Sequence, residues 1–194
     1  AEYGISSKDF VFIYSGRIDI YKGVLELVKA FKKINREDVK LLVVGKSWFG
    51  EENVKDEYTC KVQKEAEKVR NKIIFTGFVN PDKMPLMYQI ADCLVVPSIW
   101  EEPFGVVALE GMASGLPLIV TNSGGLPEIV NDKCAVIVNK EKDIVNNLTD
   151  EMNKMMINEA KAKKMGECAR ETVQSNLEYD SRNYFGLFLK KTIG

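Results

Sequence analysis

Six short apolar runs, each closed by a break and followed by a stretch with helical periodicity, constrain this chain more than any other feature. The runs are Phe10 to Tyr14, Val39 to Val44, Ile73 to Thr76, Cys93 to Val96, Leu118 to Val120 and Ala135 to Val138. They are apolar throughout rather than alternating, as strands of a parallel sheet covered on both faces are. Alternation with helices and right-handed crossovers predict an α/β chain. Its core is a Rossmann-like, doubly wound parallel sheet of about six strands with helices on both faces.

Helical spacing recurs between the runs. Val24, Leu27, Val28, Phe31 and Ile34 predict an amphipathic helix of about three to four turns. Val54, Tyr58, Val62 and Val69 mark a second helix, after a polar loop from Lys46 to Asn53. Pro81 and Asp82 open a short one through Ile90, with Met84, Met87 and Tyr88 as apolar contacts. Another follows Pro103, and a single turn follows at Pro127 to Val130. Beyond Asn139 the strands stop and extra helices remain, marked by Ile144, Leu148, Met152 and Met155, then Met165, Ala169 and Val173, then Tyr184, Phe185 and Phe188. Residues 1–194 are read as one domain, and a start so close to the first strand reads as an excised piece.

Composition removes several functions. The chain carries 27 basic and 28 acidic residues, and a net charge of -1 gives no call for nucleic acid. It has no histidine, and its four cysteines lie far apart, so a zinc or iron site is not expected. Cys93 and Cys134 lie in apolar runs and are expected as buried free thiols, which fits a reducing cytoplasm. No apolar run reaches the ~18 residues of a membrane span, and no signal peptide is visible.

Ligands of such a sheet bind at the carboxyl ends of the strands, so the candidates are the residues just after each run. Gly16, Arg17 and Lys22 follow the first. A forked cation, a point charge and a glycine that lets backbone approach closely suit a diphosphate. The alternative is a solvated pair at a helix start, a place the helix dipole disfavours for cations. After the fourth run comes Glu101-Glu102-Pro103-Phe104-Gly105-Val106. Pro103 is expected at the first helical position. The amides of Phe104, Gly105 and Val106 would then form an anion site, with Gly105 clearing the path of a phosphate; a plain helix cap is the alternative. Glu110 stands ~7.5 Å further along that helix, among apolar neighbours. A carboxylate there needs partners, either two adjacent ligand hydroxyls or a salt bridge at the rim. Of the two adjacent acids, Glu101 is expected in solvent and Glu102 beside the helix start. Gly124-Gly125 allows close ligand approach or is a tight turn. No Gly-x-Gly-x-x-Gly follows the first run, no Gly-Lys-Ser/Thr phosphate loop is complete, and no histidine is present for a hydrolase triad.

Taken together, SGRIDIYKG (15–23), LLVVG (41–45), IIFTGFV (73–79), ADCLVVPS (91–98) and EEPFGVVALEGMASGLPLIVTNSGGLPEIV (101–130) resemble the carboxyl-terminal, donor-binding domain of retaining glycosyltransferase family 4, of GT-B fold. The family's Glu, seven residues, Glu pattern falls on Glu102 and Glu110. The resemblance implies that Arg17 and Lys22 hold a donor diphosphate, helped by the amides at Phe104 to Val106. It implies that Glu110 takes the ribose hydroxyls, that Glu102 contacts the donor sugar as the catalytic-site acid, and that backbone near Phe78 and Val79 lies against the base. It further implies hexose transfer from a nucleoside diphosphate sugar, expected UDP-linked, to a glycan or lipid-linked acceptor in polysaccharide biosynthesis. The acceptor, and any peripheral membrane contact, would belong to an amino-terminal domain outside this chain. No cofactor or metal is expected, since no Asp-x-Asp occurs. Gly111, where the family often has Ala, and Lys46-Ser47-Trp48-Phe49, in place of a more glycine-rich loop, are small departures. Two rivals stay open: a non-catalytic nucleotide-binding module, and the corresponding half of a sugar-nucleotide epimerase.

Overall fold

The structure is a computed structural model that describes residues 3–47 and 57–175. Strands β1 (Phe10–Ser15), β2 (Val39–Val44), β3 (Ile73–Gly77), β4 (Cys93–Val96), β5 (Leu118–Thr121) and β6 (Ala135–Val138) form one sheet. All its ladders are parallel, in the order β3-β2-β1-β4-β5-β6. The helices are α1 (Val24–Phe31), α2 (Glu57–Ala66), α3 (Met84–Gln89), α4 (Val106–Ala113), α5 (Leu126–Ile129), α6 (Ile144–Ile157) and α7 (Glu159–Ser175).

Side chains alternate across a strand, so consecutive residues of a central strand enter different cores. Phe12, Leu41, Val43, Val95 and Ile119 face α1, α2 and α6. Val11, Ile13, Leu42, Leu94, Leu118 and Val120 face α3, α4, α5 and α7. That is why these strands read as unbroken apolar runs. The edge strand β6 is the exception, with Ile137 45% exposed. Gly111 brings α4 close to the sheet: a Cβ there would lie 2.3 Å from Leu94 Cδ2. Cys93 and Cys134 are free and buried, and burial pushes both thiols up.

Three helix bounds differ from the sequence-based expectation. α1 spans eight residues, because the chain leaves the helix after Phe31 and buries Ile34 from a turn. The expected helix from Pro81 is a 3-10 turn over Pro81–Lys83, capped by Asn80, followed by α3. α4 begins at Val106 rather than at Pro103, because Gly105 takes a left-handed φ of 77° that no right-handed helix can run through. The expected contributions of Val54, Trp48, Phe49, Tyr184, Phe185 and Phe188 fall outside the described residues. Among the described residues no helix is long and apolar enough to cross a membrane.

The sheet order has one consequence for a site. From β1 the chain runs outward to β2 and β3, then returns past β1 to β4. The loops leaving β1 and β4 therefore diverge, and a crevice opens between them at the carboxyl edge. The strand ends beside it are packed backbone on backbone. The Gly45 N–H donates to Gly77 O at 2.9 Å, and a Cβ on Gly45, with φ 136°, would lie 1.9 Å from Gly16 O. Gly45→Ala should therefore lower the unfolding free energy by about 3 kcal/mol in urea denaturation. Gly4 has φ 65° but open space around its Cβ position, so Gly4→Ala should cost only about 1 kcal/mol.

Candidate functional site

The crevice holds a cleft of about 320 Å³, lined by Tyr14, Ser15 and Gly16 from the end of β1, Lys22 from its loop, Val96 and Ser98 from the end of β4, and residues 102–107. At its centre Glu102 Oε1 accepts hydrogen bonds from Lys22 Nζ and Ser98 Oγ, each at 2.5 Å. Glu102 is 8% exposed and Ser98 is buried. A carboxylate so enclosed needs such donors to offset its lost hydration.

Both loops are held by short bonds. On the β1 side, Asp19 Oδ1 accepts from the N–H groups of Tyr21 at 2.9 Å and Lys22 at 3.2 Å. This is an Asx-type turn, and it presents Lys22. Gly23 follows with φ 67°, and a Cβ there would lie 1.9 Å from Pro97 O, so the turn presses directly on the β4 loop. The Ile99 N–H donates to Tyr21 O at 3.0 Å across the same seam. On the β4 side, Thr121 Oγ1 donates to Ser98 O at 2.6 Å, Ser123 Oγ donates to Trp100 O, and the Gly125 N–H donates to Glu102 O at 2.7 Å. A Cβ on Gly124 would lie 2.2 Å from Glu102 O. The glycine pair lets the β5 loop lie against the Glu102 loop.

The two adjacent acids divide as expected. Glu101 is exposed, and its carboxyl is held below the usual range by the Lys140 ammonium and the Gly124 amide. Glu102 is the acid inside the cleft.

The helix start differs in detail from the expectation. With α4 beginning at Val106, the free amides of its first turn begin there and include Val107, while Phe104 and Gly105 belong to the loop before it. The glycine at 105 also has a different reason. A Cβ there would lie 2.5 Å from Leu126 Cδ2, so Gly105 makes room for α5 as well as supplying the left-handed cap.

Other expected residues stand apart. Arg17 does not line the cleft; its side chain is about half exposed and Nε lies 3.6 Å from Asp19 Oδ2. Glu110 does not line it either. It is 5% exposed, and its Oε2 accepts from Tyr88 Oη at 2.7 Å. Phe78 is exposed, with Lys46 Nζ 5.7 Å from its ring centroid. Phe78 and Val79 line a separate cavity of about 940 Å³ beside α3. They follow β3, two strands or roughly 10 Å from β1.

Asp19, Ser98, Thr121 and Tyr88 were not singled out as site residues by sequence. The Asx spacing of Asp19 to Lys22 was a readable signal. Thr121 and Tyr88 carried none, since each reads as part of an apolar element until its neighbour in space is known. Removing the Thr121 hydroxyl should loosen the floor of the cleft: Thr121→Val should cost about 1–2 kcal/mol of stability in chemical denaturation. A double-mutant cycle of Lys22→Met and Glu102→Gln should return a coupling of about 1–2 kcal/mol.

Comparison with known proteins agrees with this geometry. A family profile described as Glycosyl transferases group 1 matches residues 1–172. The lipopolysaccharide 1,2-N-acetylglucosaminetransferase of Salmonella typhimurium is 32% identical over 197 residues, covering 95% of this chain and 51% of that protein. The spore coat protein SA of Bacillus subtilis is 29% identical, covering 91% of this chain and 47% of that protein. The chain thus spans about half the length of these curated relatives. A crystal structure of a glycosyltransferase from Rickettsia africae superposes with a TM-score of 0.78 at 27% identity, over 99% of this chain and 48% of that one. The Anabaena protein HepE, solved in complex with UDP, shares the fold with a TM-score of 0.77 at 20% identity, over 96% of this chain and 48% of its own. A switch-point cleft with a cation and an enclosed acid, on a sheet of this order, is thus accompanied by a match over most of the sequence, and the chain belongs to the glycosyl transferases group 1 family.

Proposed function

We propose that this chain is the donor-binding domain of a retaining hexosyltransferase of glycosyltransferase family 4, working with an amino-terminal acceptor domain that faces the cleft. The substrate is a nucleoside diphosphate sugar, UDP-linked, and the acceptor is a glycan or lipid-linked glycan. The observation that carries the reading is the contact of Lys22 Nζ with Glu102 Oε1 at the mouth of α4. It puts a cation, a buried acid and a helix N-terminus around one cleft, with one group for each part of a sugar diphosphate.

The donor diphosphate lies against the first amides of α4 and takes Lys22 as its counter-ion, with Arg17 swinging in from the rim. Glu102 then exchanges Lys22 for a sugar hydroxyl while Ser98 continues to hold Oε1. As the bond from the sugar carbon to the diphosphate breaks, its electron pair goes to the phosphate oxygen, the acceptor hydroxyl oxygen bonds to that carbon, and the acceptor proton passes to the leaving diphosphate. Lys22, Arg17 and the helix dipole stabilise that charge without a metal ion. Glu110 receives the ribose hydroxyls, and the base extends toward β3, to Phe78 and Val79. The extended path accounts for the separation of those residues from Glu102.

The name of the Salmonella relative supports sugar transfer in polysaccharide biosynthesis, and the UDP complex of HepE supports the choice of base. A Mycobacterium tuberculosis relative named as GDP-mannose-dependent, 30% identical over 82% of this chain, favours GDP as the second reading. The site of action is cytoplasmic, at the inner face of the membrane where the acceptor is lipid-linked.

Calorimetric titration with UDP, GDP and ADP tests the site. One nucleotide should bind, and Lys22→Ala should weaken it about tenfold or more. Glu102→Gln should leave the bare nucleotide unchanged and weaken its sugar conjugate. Equal affinity for nucleotide and conjugate, unaltered by Glu102→Gln, would identify a binding-only module instead. The 194-residue chain alone should transfer no sugar in a radiolabelled-donor assay; transfer by it would refute the need for a second domain.

A further inference from the structure

We propose that Tyr21 and Trp100 form a stacking platform for a pyranose ring of the acceptor glycan, beside the Glu102 cleft. The proposal rests on the reading of that cleft as a sugar-nucleotide site.

The exposed apolar side chains of this chain are unevenly spread. Among the described residues eleven large ones are exposed, and six of them, Ile20, Tyr21, Ile99, Trp100, Phe104 and Val106, belong to the β1 loop, the β4 loop or the first turn of α4. Apolar surface gathered around one cleft marks a binding surface. Its centre is aromatic. The Tyr21 and Trp100 ring centroids lie 5.7 Å apart, and the planes are tilted by 48°. A face-to-face pair would cover one face of each ring with the other. At this angle the two rings form an open ledge, with Tyr21 53% and Trp100 43% exposed.

Backbone bonds fix the roots of both side chains. The Tyr21 N–H donates to Asp19 Oδ1 at 2.9 Å, and Tyr21 O accepts from the Ile99 N–H at 3.0 Å. Trp100 O accepts from Ser123 Oγ. Ordering these rings around a ligand therefore costs little. Their place suits an acceptor. Tyr21 directly precedes Lys22, and Trp100 stands two residues before Glu102, at most about 7 Å of chain. The acceptor hydroxyl attacks a sugar held at Glu102, so the ring that carries it has to be seated next to that residue.

The chemistry of the ledge selects the occupant. A pyranose presents a face of C–H bonds, which packs on the electron-rich face of an aromatic ring, and hydroxyls around its rim. Among the described residues neither Tyr21 Oη nor Trp100 Nε1 has a hydrogen-bond partner, so both can meet those hydroxyls. An aliphatic cover such as a lipid chain would take water from both polar tips and give nothing back.

The test is saturation-transfer NMR of the protein with methyl β-D-glucopyranoside, for the unaltered chain, Tyr21→Leu and Trp100→Leu. Leucine keeps apolar bulk and removes the aromatic face. Saturation should be strongest on the C–H bonds at sugar positions 1, 3 and 5, which share one face, and each variant should lower it about fivefold. No transfer to the unaltered protein's glycoside, or transfer that survives both variants, would overturn the proposal. Calorimetry with UDP and UDP-glucose separates the two sugars. The preference for the conjugate should be the same in Trp100→Leu as in the unaltered chain. Its loss would assign the ledge to the donor sugar and overturn the acceptor role. Sedimentation adds a third readout: a dimer that Trp100→Leu dissolves would assign the ledge to a second copy instead. Nucleotide binding without glycoside transfer sinks the platform alone. Glycoside transfer by a protein that binds none of UDP, GDP and ADP sinks the reading of the cleft, and the acceptor assignment with it. Thermal unfolding checks the fold. Trp100→Gln serves if Trp100→Leu does not fold, and collapse of both would assign the ring to support of the loops alone.

Discussion

The pairing of β1 with β4 is the constraint on which the site depends. These strands are neighbours in the sheet, with Phe12 beside Cys93 and Ile13 beside Leu94, yet β2 and β3 intervene in the chain. Parallel neighbours need crossovers, and the two crossovers leaving this pair go to opposite sides. Their loops part at the carboxyl edge, so a crevice opens there without any cavity being cut into the core. Everything polar in the site is then supported on well-packed apolar strands.

The loops that border the crevice are closely packed for a physical reason. Glycines at 23, 45 and 124 let backbone touch backbone where a side chain would collide. Hydroxyls of Thr121 and Ser123 reach from the end of β5 to the β4 loop, and that of Ser98 bonds Glu102 within that loop. A buried acid such as Glu102 is tolerated because two donors meet one of its oxygens. The same network orients the group. The stability of the loops and the geometry of the cleft are therefore carried by the same bonds.

Much of this was legible in the sequence. Unbroken apolar runs are what double burial of a parallel strand requires, so all six strands could be placed within a residue or so. Glu102 could be told from Glu101 because it is the nearer of the two to the helix that follows, although that helix begins at Val106 rather than Pro103. The bounds of α4 could not, because Pro103 is a good first helical residue and nothing local announced that Gly105 would take a left-handed φ. The packing reasons for Gly105 and Gly124 were likewise not visible in the sequence. A glycine's neighbour in space, whether Leu126 or the backbone of Glu102, lies many residues away or on another loop.

The sequence by itself determined the fold class, the strand positions and the residue types at the carboxyl edge, because each follows from local periodicity or from adjacency along the chain. Only the tertiary structure decided which of those residues meet. It joined Lys22 to Glu102 across 80 positions, buried Glu110 against Tyr88, left Arg17 out of the cleft lining and set Phe78 two strands away. Such contacts depend on strand order and on the directions in which loops leave the sheet. Those are properties of the packed chain, and no run of neighbouring residues encodes them.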